Sequence, residues 1–169
     1  MPTELKGANA LRKALRKFDP DLDKEVRGEM VGFLKPLVKK ARGFMPSNNE
    51  MPSNFVGTSE AGKFPKYDST IARRGVGYKL TPTKPNRQGW ISTVSIHNKT
   101  AGGAIYETAG RKSGVVGNFS PRLQGTLVGR DKMQGRAIFK SYDQDEGKAK
   151  LGVIKALEKA AAKFNAKGI

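Results

Sequence analysis

The sequence predicts an α+β fold, with a mainly antiparallel sheet packed against an N-terminal helical segment and a C-terminal helix, and a long loop in between. Three observations predict it: helical periodicity at both ends of the chain, alternation in the middle, and short turns that favour antiparallel pairing. The length of 169 residues fits a single domain. Its expected parts are a helical segment (1–44), an extended loop or arm (45–74), a sheet region (75–142) and a helix (143–165).

The first helix is predicted over residues 8–18 from the spacing of its apolar residues. Leu11, Leu15 and Phe18 follow at intervals of four and three residues, so they form one stripe and predict the buried face. The other face carries a group of cations: Arg12, Lys13, Arg16 and Lys17.

A second helix is predicted from Pro20 to about Arg42. Pro20 suits the first helical position, where no N–H is needed, and Asp19 before it suits the N-cap. The apolar residues that follow recur every three or four positions and give one buried stripe. Pro36 lies inside this pattern, and because proline removes a helical hydrogen bond, it predicts a kink or a break nearby.

Residues 45–74 have the composition of a long loop. Prolines are interleaved with Ser, Asn and Gly, and the apolar residues show no period. Loops of this length are uncommon inside a compact domain unless they are functional or disordered. We therefore interpret the segment as an extended loop, or as an arm that becomes ordered only against a neighbouring subunit.

The sheet is predicted in the middle of the chain. Residues 75–81 alternate weakly between apolar and polar side chains, and residues 90–97 alternate better. Turns follow each of these segments, and residues 104–108 form another predicted strand. Residues 136–142 are a further strand or an extended lead into the last helix. The core candidates under the helices are Trp90, Val94 and Ile96.

The C-terminal helix is predicted over residues 143–165. Acidic residues at its start suit the positive end of the helix dipole: Asp143, Asp145 and Glu146. Gly147 and Gly152 weaken this helix by roughly 1 kcal/mol each relative to alanine.

The composition argues against most catalytic and metal chemistry. The chain has no cysteine and a single histidine, His97, so thiol nucleophiles, cysteine-based metal sites and histidine relays lack support. Residues 57–63 (GTSEAGK) share the glycine and lysine spacing of a phosphate-binding loop, but Phe64 stands where Ser or Thr would hold magnesium. We expect no enzymatic activity, no cofactor and no metal. No apolar run approaches the roughly 18 residues of a membrane span, so we also expect no membrane association.

The charge balance points towards an anionic partner. The chain has 32 Lys+Arg against 15 Asp+Glu, a net charge of +17. Such a field favours nucleic acid or an acidic protein surface. Cations on loops suit phosphate contact without readout of base sequence. Those near the predicted turns are Arg73, Arg74, Lys79, Lys84, Arg87, Lys99, Arg111 and Lys112.

Four parts of the chain carry a family resemblance. They are LRKALRKFDPDLDKEVRGEMV, PLVKKARGFMP, GAIYETAGR, and GRAIFKSYDQ leading into LGVIKALEKAAAKFN. In this order they resemble the neck and tail-completion (minor tail component) proteins of bacteriophages with long, non-contractile tails. GAIYETAGR is similar to that family's hydrophobic–Glu–x–Ala–Gly–Arg segment.

The resemblance implies a structural virion protein and not an enzyme. Such a small α+β subunit assembles with its own copies into a ring, commonly a hexamer, that joins the capsid connector to the tail and surrounds the DNA passage. The implied partners are the head-side connector or stopper, the tail terminator or tube, and packaged DNA held by non-specific phosphate contacts. The implied location is the neck of the virion, after assembly in the host cytoplasm.

The resemblance also directs the assignment of sites. Glu107 and Arg111 are the candidate subunit-interface residues, as an ion pair within or between subunits. The candidate contacts with DNA in the lumen, or with a neighbouring subunit, are Arg73, Arg74, Lys84, Arg87, Arg111 and Lys112.

Two alternatives remain open at this point. The chain could be a standalone basic protein that binds DNA without sequence specificity, as a monomer or dimer. It could also be a tail-tube subunit, which would assemble into many stacked rings.

Overall fold

The fold combines six α-helices with two small β-ribbons in the part of the chain that the structure describes. The structure is a computed structural model, and it describes residues 7–58, 60, 63–87, 89, 91–111, 120–130 and 133–167. The expected mixture of helix and sheet is confirmed. None of the described helices is both long and apolar enough to cross a bilayer.

The helices are α1 (Ala8–Phe18), α2 (Pro20–Gly43), α3 (Ser69–Gly75), α4 (Ala101–Thr108), α5 (Ile138–Asp143) and α6 (Lys148–Ala166). The strands are β1 (Val76–Lys79), β2 (Ser95–Asn98), β3 (Val128–Arg130) and β4 (Met133–Gly135). Short 3₁₀ turns occupy Asn48–Glu50 and Ser120–Arg122.

Helix α1 has the predicted bounds, but a different face is buried. Its buried residues are Ala8, Arg12 and Leu15, whereas Phe18 is 53% exposed. The expectation that Arg12 lies on the solvent face is therefore wrong. Periodicity alone does not choose between the stripe at 8, 12 and 15 and the stripe at 11, 15 and 18, because both are helical.

Helix α2 runs through Pro36 without interruption, so a break there is excluded. Leu34, Leu37 and Val38 are buried on either side of the proline. The burial of these side chains stabilises a continuous helix. This stabilisation offsets the loss of the helical hydrogen bond that proline cannot donate.

The described residues group into two compact units. Unit 1 comprises the described residues of Met1–Pro36, Lys79–Ser95 and Gly147–Ile169, and unit 2 those of Leu37–Tyr78 and Ile96–Glu146. Each unit has a hydrophobic cluster of its own.

The core of unit 1 forms between α1, the first part of α2, and α6. Leu15, Val26, Met30 and Leu157 are buried there. Around this core, two lysines of α6 form ion pairs with carboxylates in the first half of α2, Lys159 with Glu29 and Lys163 with Glu25. Lys167, the residue after α6, pairs with Asp19, the residue before α2.

The core of unit 2 contains the segment that was expected to be an extended loop or arm. Phe55 and Tyr67 are fully buried, and their ring centroids lie 5.7 Å apart. The Tyr67 hydroxyl donates to the carbonyl of Pro46 at 2.8 Å, and Val56 forms a parallel bridge with Tyr67. Residues 69–75 form α3. The described part of this segment therefore supplies core residues to its own chain, which an aperiodic sequence does not reveal.

Among the described residues, the strands form two separate ribbons and no larger sheet. β1 pairs with β2, and β3 pairs with β4 in antiparallel register, with Gly129 opposite Gln134. β1 lies within the predicted strand at 75–81. β2 covers only the end of the predicted strand at 90–97. Trp90 lies outside the described residues, whereas Val94 and Ile96 are half-buried against the cores of units 1 and 2 respectively.

The predicted strand at 104–108 is wrong, because these residues belong to α4. Thr100 caps this helix by accepting the Gly103 N–H at 3.2 Å. A Cβ at Gly102 would overlap the backbone of Lys66, so this glycine permits a close approach between segments. The glycines that suggested a turn thus serve packing.

Residues 136–142 are not a strand either, since most of them form α5. The last helix, α6, begins at Lys148 and not at residue 143. Gly147 precedes it with φ of 78°, a left-handed conformation that favours glycine. Asp143 instead ends α5, so the acidic residues lie at a junction between helices.

Candidate functional site

Glu107, the first residue of the predicted subunit interface, is buried inside unit 2. Its side chain is 4% exposed. Its carboxylate accepts the backbone N–H of Ala137 at 2.8 Å, of Ile138 at 3.0 Å and of Phe139 at 3.2 Å. These donors lie at the start of α5, where N–H groups lack helical partners. The carboxylate is therefore bound within its own chain, whereas the sequence offered Glu107 as a candidate subunit-interface residue, in an ion pair within or between subunits.

Arg136 also joins α4 to the start of α5. Sequence reasoning did not identify this residue. Its Nη1 donates to the carbonyls of Tyr106 at 2.8 Å and Ala109 at 2.7 Å, and its Nε donates to Gly125 at 3.2 Å. Burial lowers the pKa of Arg136, and the neighbouring Tyr106 and Glu107 oppose that shift. No periodicity marks an isolated arginine as buried. It satisfies carbonyls at the end of α4, as Glu107 satisfies N–H groups at the start of α5.

Arg111 is half-buried over an aromatic ring. Its guanidinium lies 5.1 Å from the centroid of Phe139, within the range of a cation–π contact. Burial lowers the pKa of Arg111, and Glu107 opposes this shift. Among the residues described, no ion pair joins Arg111 to Glu107. Lys112 lies outside the described residues.

Arg73 and Arg74 both belong to α3, and hydrogen bonds hold the side chain of Arg73. The Nε and Nη2 atoms of Arg73 donate to the carbonyl of Met45, at 3.2 and 2.9 Å. This carbonyl lies just beyond the end of α2, so Arg73 holds two parts of unit 2 together. Arg74 is exposed.

Lys84 and Arg87 lie in a turn of unit 1 that is closed by hydrogen bonds. The Thr83 N–H donates to the carbonyl of Ser92, and the Ser92 N–H donates to the Thr83 hydroxyl, both at 3.0 Å. Both cations are exposed. This arrangement presents positive charge to solvent, as phosphate contact requires.

The structure thus divides the predicted basic residues between the two units. Lys84 and Arg87 belong to unit 1, whereas Arg73, Arg74 and Arg111 belong to unit 2. Two of the five, Arg73 and Arg111, make contacts that stabilise their own unit. The exposed cations suited to an anionic partner are Arg74, Lys84 and Arg87.

Sequence reasoning also missed a basic cavity in unit 1. Its volume is about 420 Å³, and its lining residues are Asn9, Arg12, Lys13, Arg16, Lys17 and Pro82. Arg12 is only 2% exposed. The run of cations in α1 was visible in the sequence, but the burial of one of them was not.

Metal ligands are not gathered anywhere in the described ranges. No group of three or more His, Asp or Glu side chains within them is arranged to hold a metal ion.

Comparison of the chain with protein-family models, with curated proteins and with solved structures found no match. The resemblance to phage neck proteins therefore rests on the four sequence stretches alone.

Proposed function

We propose that this chain is a structural subunit of the head-to-tail neck of a long-tailed bacteriophage. Six copies of the chain form a ring. This ring joins the capsid connector to the tail and surrounds the DNA passage. The ring contacts the head-side connector or stopper and the tail terminator or tube. It touches packaged DNA through phosphates, without readout of sequence.

The DNA part of this proposal is supported by the observation that several acidic side chains pair with groups of their own chain. Glu25 and Glu29 pair with lysines of α6, Asp19 pairs with Lys167 just after that helix, and Glu107 caps α5. Carboxylates held in this way do not offset the exposed cations at Lys84 and Arg87. The net charge of +17 therefore favours an extended polyanion.

The positions of the resembling stretches support the neck assignment. GAIYETAGR and GRAIFKSYDQ meet where Glu107 and Arg136 join α4 to α5. The first stretch and LGVIKALEKAAAKFN meet in unit 1, where Lys159 pairs with Glu29 and Lys163 with Glu25. Segments that resemble one family and pair with one another are suited to form a common scaffold.

Mass spectrometry of purified phage particles, with copy number determined against the major capsid protein, tests this function. We expect the chain in the particle at the copy number of a single ring. Absence from particles, together with strong DNA binding by the isolated chain, would favour the standalone DNA-binding protein. A copy number of many rings would identify a tail-tube subunit. Either result would contradict the neck assignment.

A further inference from the structure

Arg12 occupies a position that helical packing normally gives to an apolar residue. It lies between Ala8 and Leu15 on the buried face of α1 and is 2% exposed. Burying a cation without a full set of partners is costly, so such a residue indicates either internal pairing or a bound anion.

Internal pairing satisfies only part of the Arg12 side chain. Its Nη1 donates to the carbonyl of Thr93 at 3.1 Å. Its Nε and Nη2 are buried and have no hydrogen-bond acceptor among the described residues. The nearby Oδ1 of Asn9 is also buried without a donor. The site therefore retains unused hydrogen-bonding capacity on a guanidinium, the group whose geometry suits an oxyanion.

The surroundings of Arg12 add positive charge and little negative charge. The cavity is lined by four cations and no carboxylate. Asp23, the acid whose charge acts on Arg12, is engaged through Oδ2 by Arg27 at 2.9 Å and by Arg16 at 3.6 Å, and its Oδ1 is buried without a hydrogen-bond partner among the described residues. Burial lowers the pKa of Arg12, as does the charge of Arg16, while Asp23 opposes the shift. An anion in the cavity would relieve this excess of positive charge.

We propose that this cavity is a binding site for one phosphate-type oxyanion, with Arg12 as its buried lining residue and the exposed Lys13, Arg16 and Lys17 around it. The volume of about 420 Å³ accommodates a phosphate group with bound water. The same chemistry takes a free phosphate ion or a phosphodiester of a nucleic acid backbone. Lys84 and Arg87 are not among the lining residues, and the inference does not rest on the virion role.

Isothermal titration of the full chain with inorganic phosphate tests the site. A double substitution, Lys13→Gln with Lys17→Gln, removes two exposed lysines of the cavity. We expect one phosphate per chain in the wild type and a Kd about tenfold higher in this variant, which corresponds to 1.4 kcal/mol. The matched control is Lys24→Gln with Lys155→Gln, which removes two exposed lysines outside the cavity lining and should leave the Kd unchanged.

The Arg12→Lys variant tests the guanidinium itself, because it keeps the charge and removes the planar fork of donors. Where this variant remains folded, its phosphate affinity should also fall. Equal loss in the cavity and control variants would show general charge attraction and overturn the proposal. Failure of the wild type to bind phosphate would overturn it as well.

A second titration, with a short DNA duplex, identifies the source of the phosphate. If the cavity variant loses affinity for both ligands relative to the control, the site takes backbone phosphates as well as the free ion. If only the inorganic phosphate affinity falls, the site serves a free phosphate group. Both results support the site, and the neck assignment is tested separately by the content of the particle.

Discussion

Glu107 illustrates how a single buried carboxylate joins two helices. It accepts three N–H groups at the start of α5 and is 4% exposed. We expect Glu107→Ala to lower the free energy of unfolding by about 3 kcal/mol, because buried donors lose a charged partner. Glu107→Gln, which keeps one acceptor, should cost about half as much. Urea denaturation measures both.

The control for this substitution is Glu158→Ala on the exposed surface of α6, which should change stability little. If Glu107→Ala and Glu158→Ala had equal effects, the capping role of Glu107 would be refuted.

Tyr106 links stability to alkaline pH. It is 2% exposed, and burial raises its pKa to about 12, while Arg136 opposes this shift. The unfolded side chain titrates near pH ~10. Because the folded pKa is the higher, the contribution of the protonated phenol is fully present below pH ~10 and is lost as the pH rises towards 12.

Chemical denaturation between pH 9 and 12 tests this linkage, in ranges chosen around the pKa values of about 10 and 12. The free energy of unfolding should fall more steeply with pH in the wild type than in Tyr106→Phe, which removes the titrating group. Tyr142→Phe, at an exposed position, is the control and should keep the wild-type slope. Identical slopes in all three proteins would rule out the linkage.

At the scale of elements, the segment at 45–74 differs most from its sequence interpretation. Phe55 is fully buried against Tyr67 within unit 2. We expect Phe55→Ala to lower the free energy of unfolding of the isolated chain by about 3–5 kcal/mol, through lost transfer energy and a cavity. Ile71→Ala, at an exposed position of α3, is the control and should change stability little. An arm that becomes ordered only on assembly would make both substitutions neutral in the isolated chain.

Gly152 is a helix-weakening residue with a packing reason. A Cβ at this position would overlap the Phe33 ring, and both residues belong to unit 1. Gly152→Ala should therefore destabilise the protein by about 1 kcal/mol, because overpacking outweighs the gain in helix propensity. In the background of Phe33→Ala, the same change should become stabilising. Thermal unfolding of the four proteins in this cycle measures the coupling, and additive effects would exclude it.

The helices could be predicted from the sequence where a long apolar period fixes them. The bounds of α1 and the continuous stripe of α2 come directly from the spacing of their apolar residues. A five-residue window such as 104–108 is too short to distinguish a strand from a helix. These residues are helical and follow an N-cap at Thr100. The burial of Arg12 and Glu107 depends on contacts between distant segments, which no local pattern encodes.

At the scale of the whole molecule, the net charge acts over the longest distance. A net charge of +17 attracts a polyanion over a distance set by the ionic strength. Binding through phosphate contacts releases counterions, so the affinity falls linearly with salt on logarithmic axes. The slope reports how many phosphates are neutralised, and it gives a way to identify the cations that touch DNA.

The exposed turn that carries Lys84 and Arg87 should account for part of that slope. If the proposed DNA contacts are made by this turn, the double substitution Lys84→Gln with Arg87→Gln removes two of them, so the slope should decrease in magnitude by about 2 for duplex DNA. Fluorescence anisotropy with a labelled duplex across a series of KCl concentrations measures it. The pair Lys24→Gln with Lys155→Gln removes the same charge elsewhere and should keep the wild-type slope. If both double substitutions lowered the slope equally, DNA binding would depend on the net charge of the chain and not on this turn.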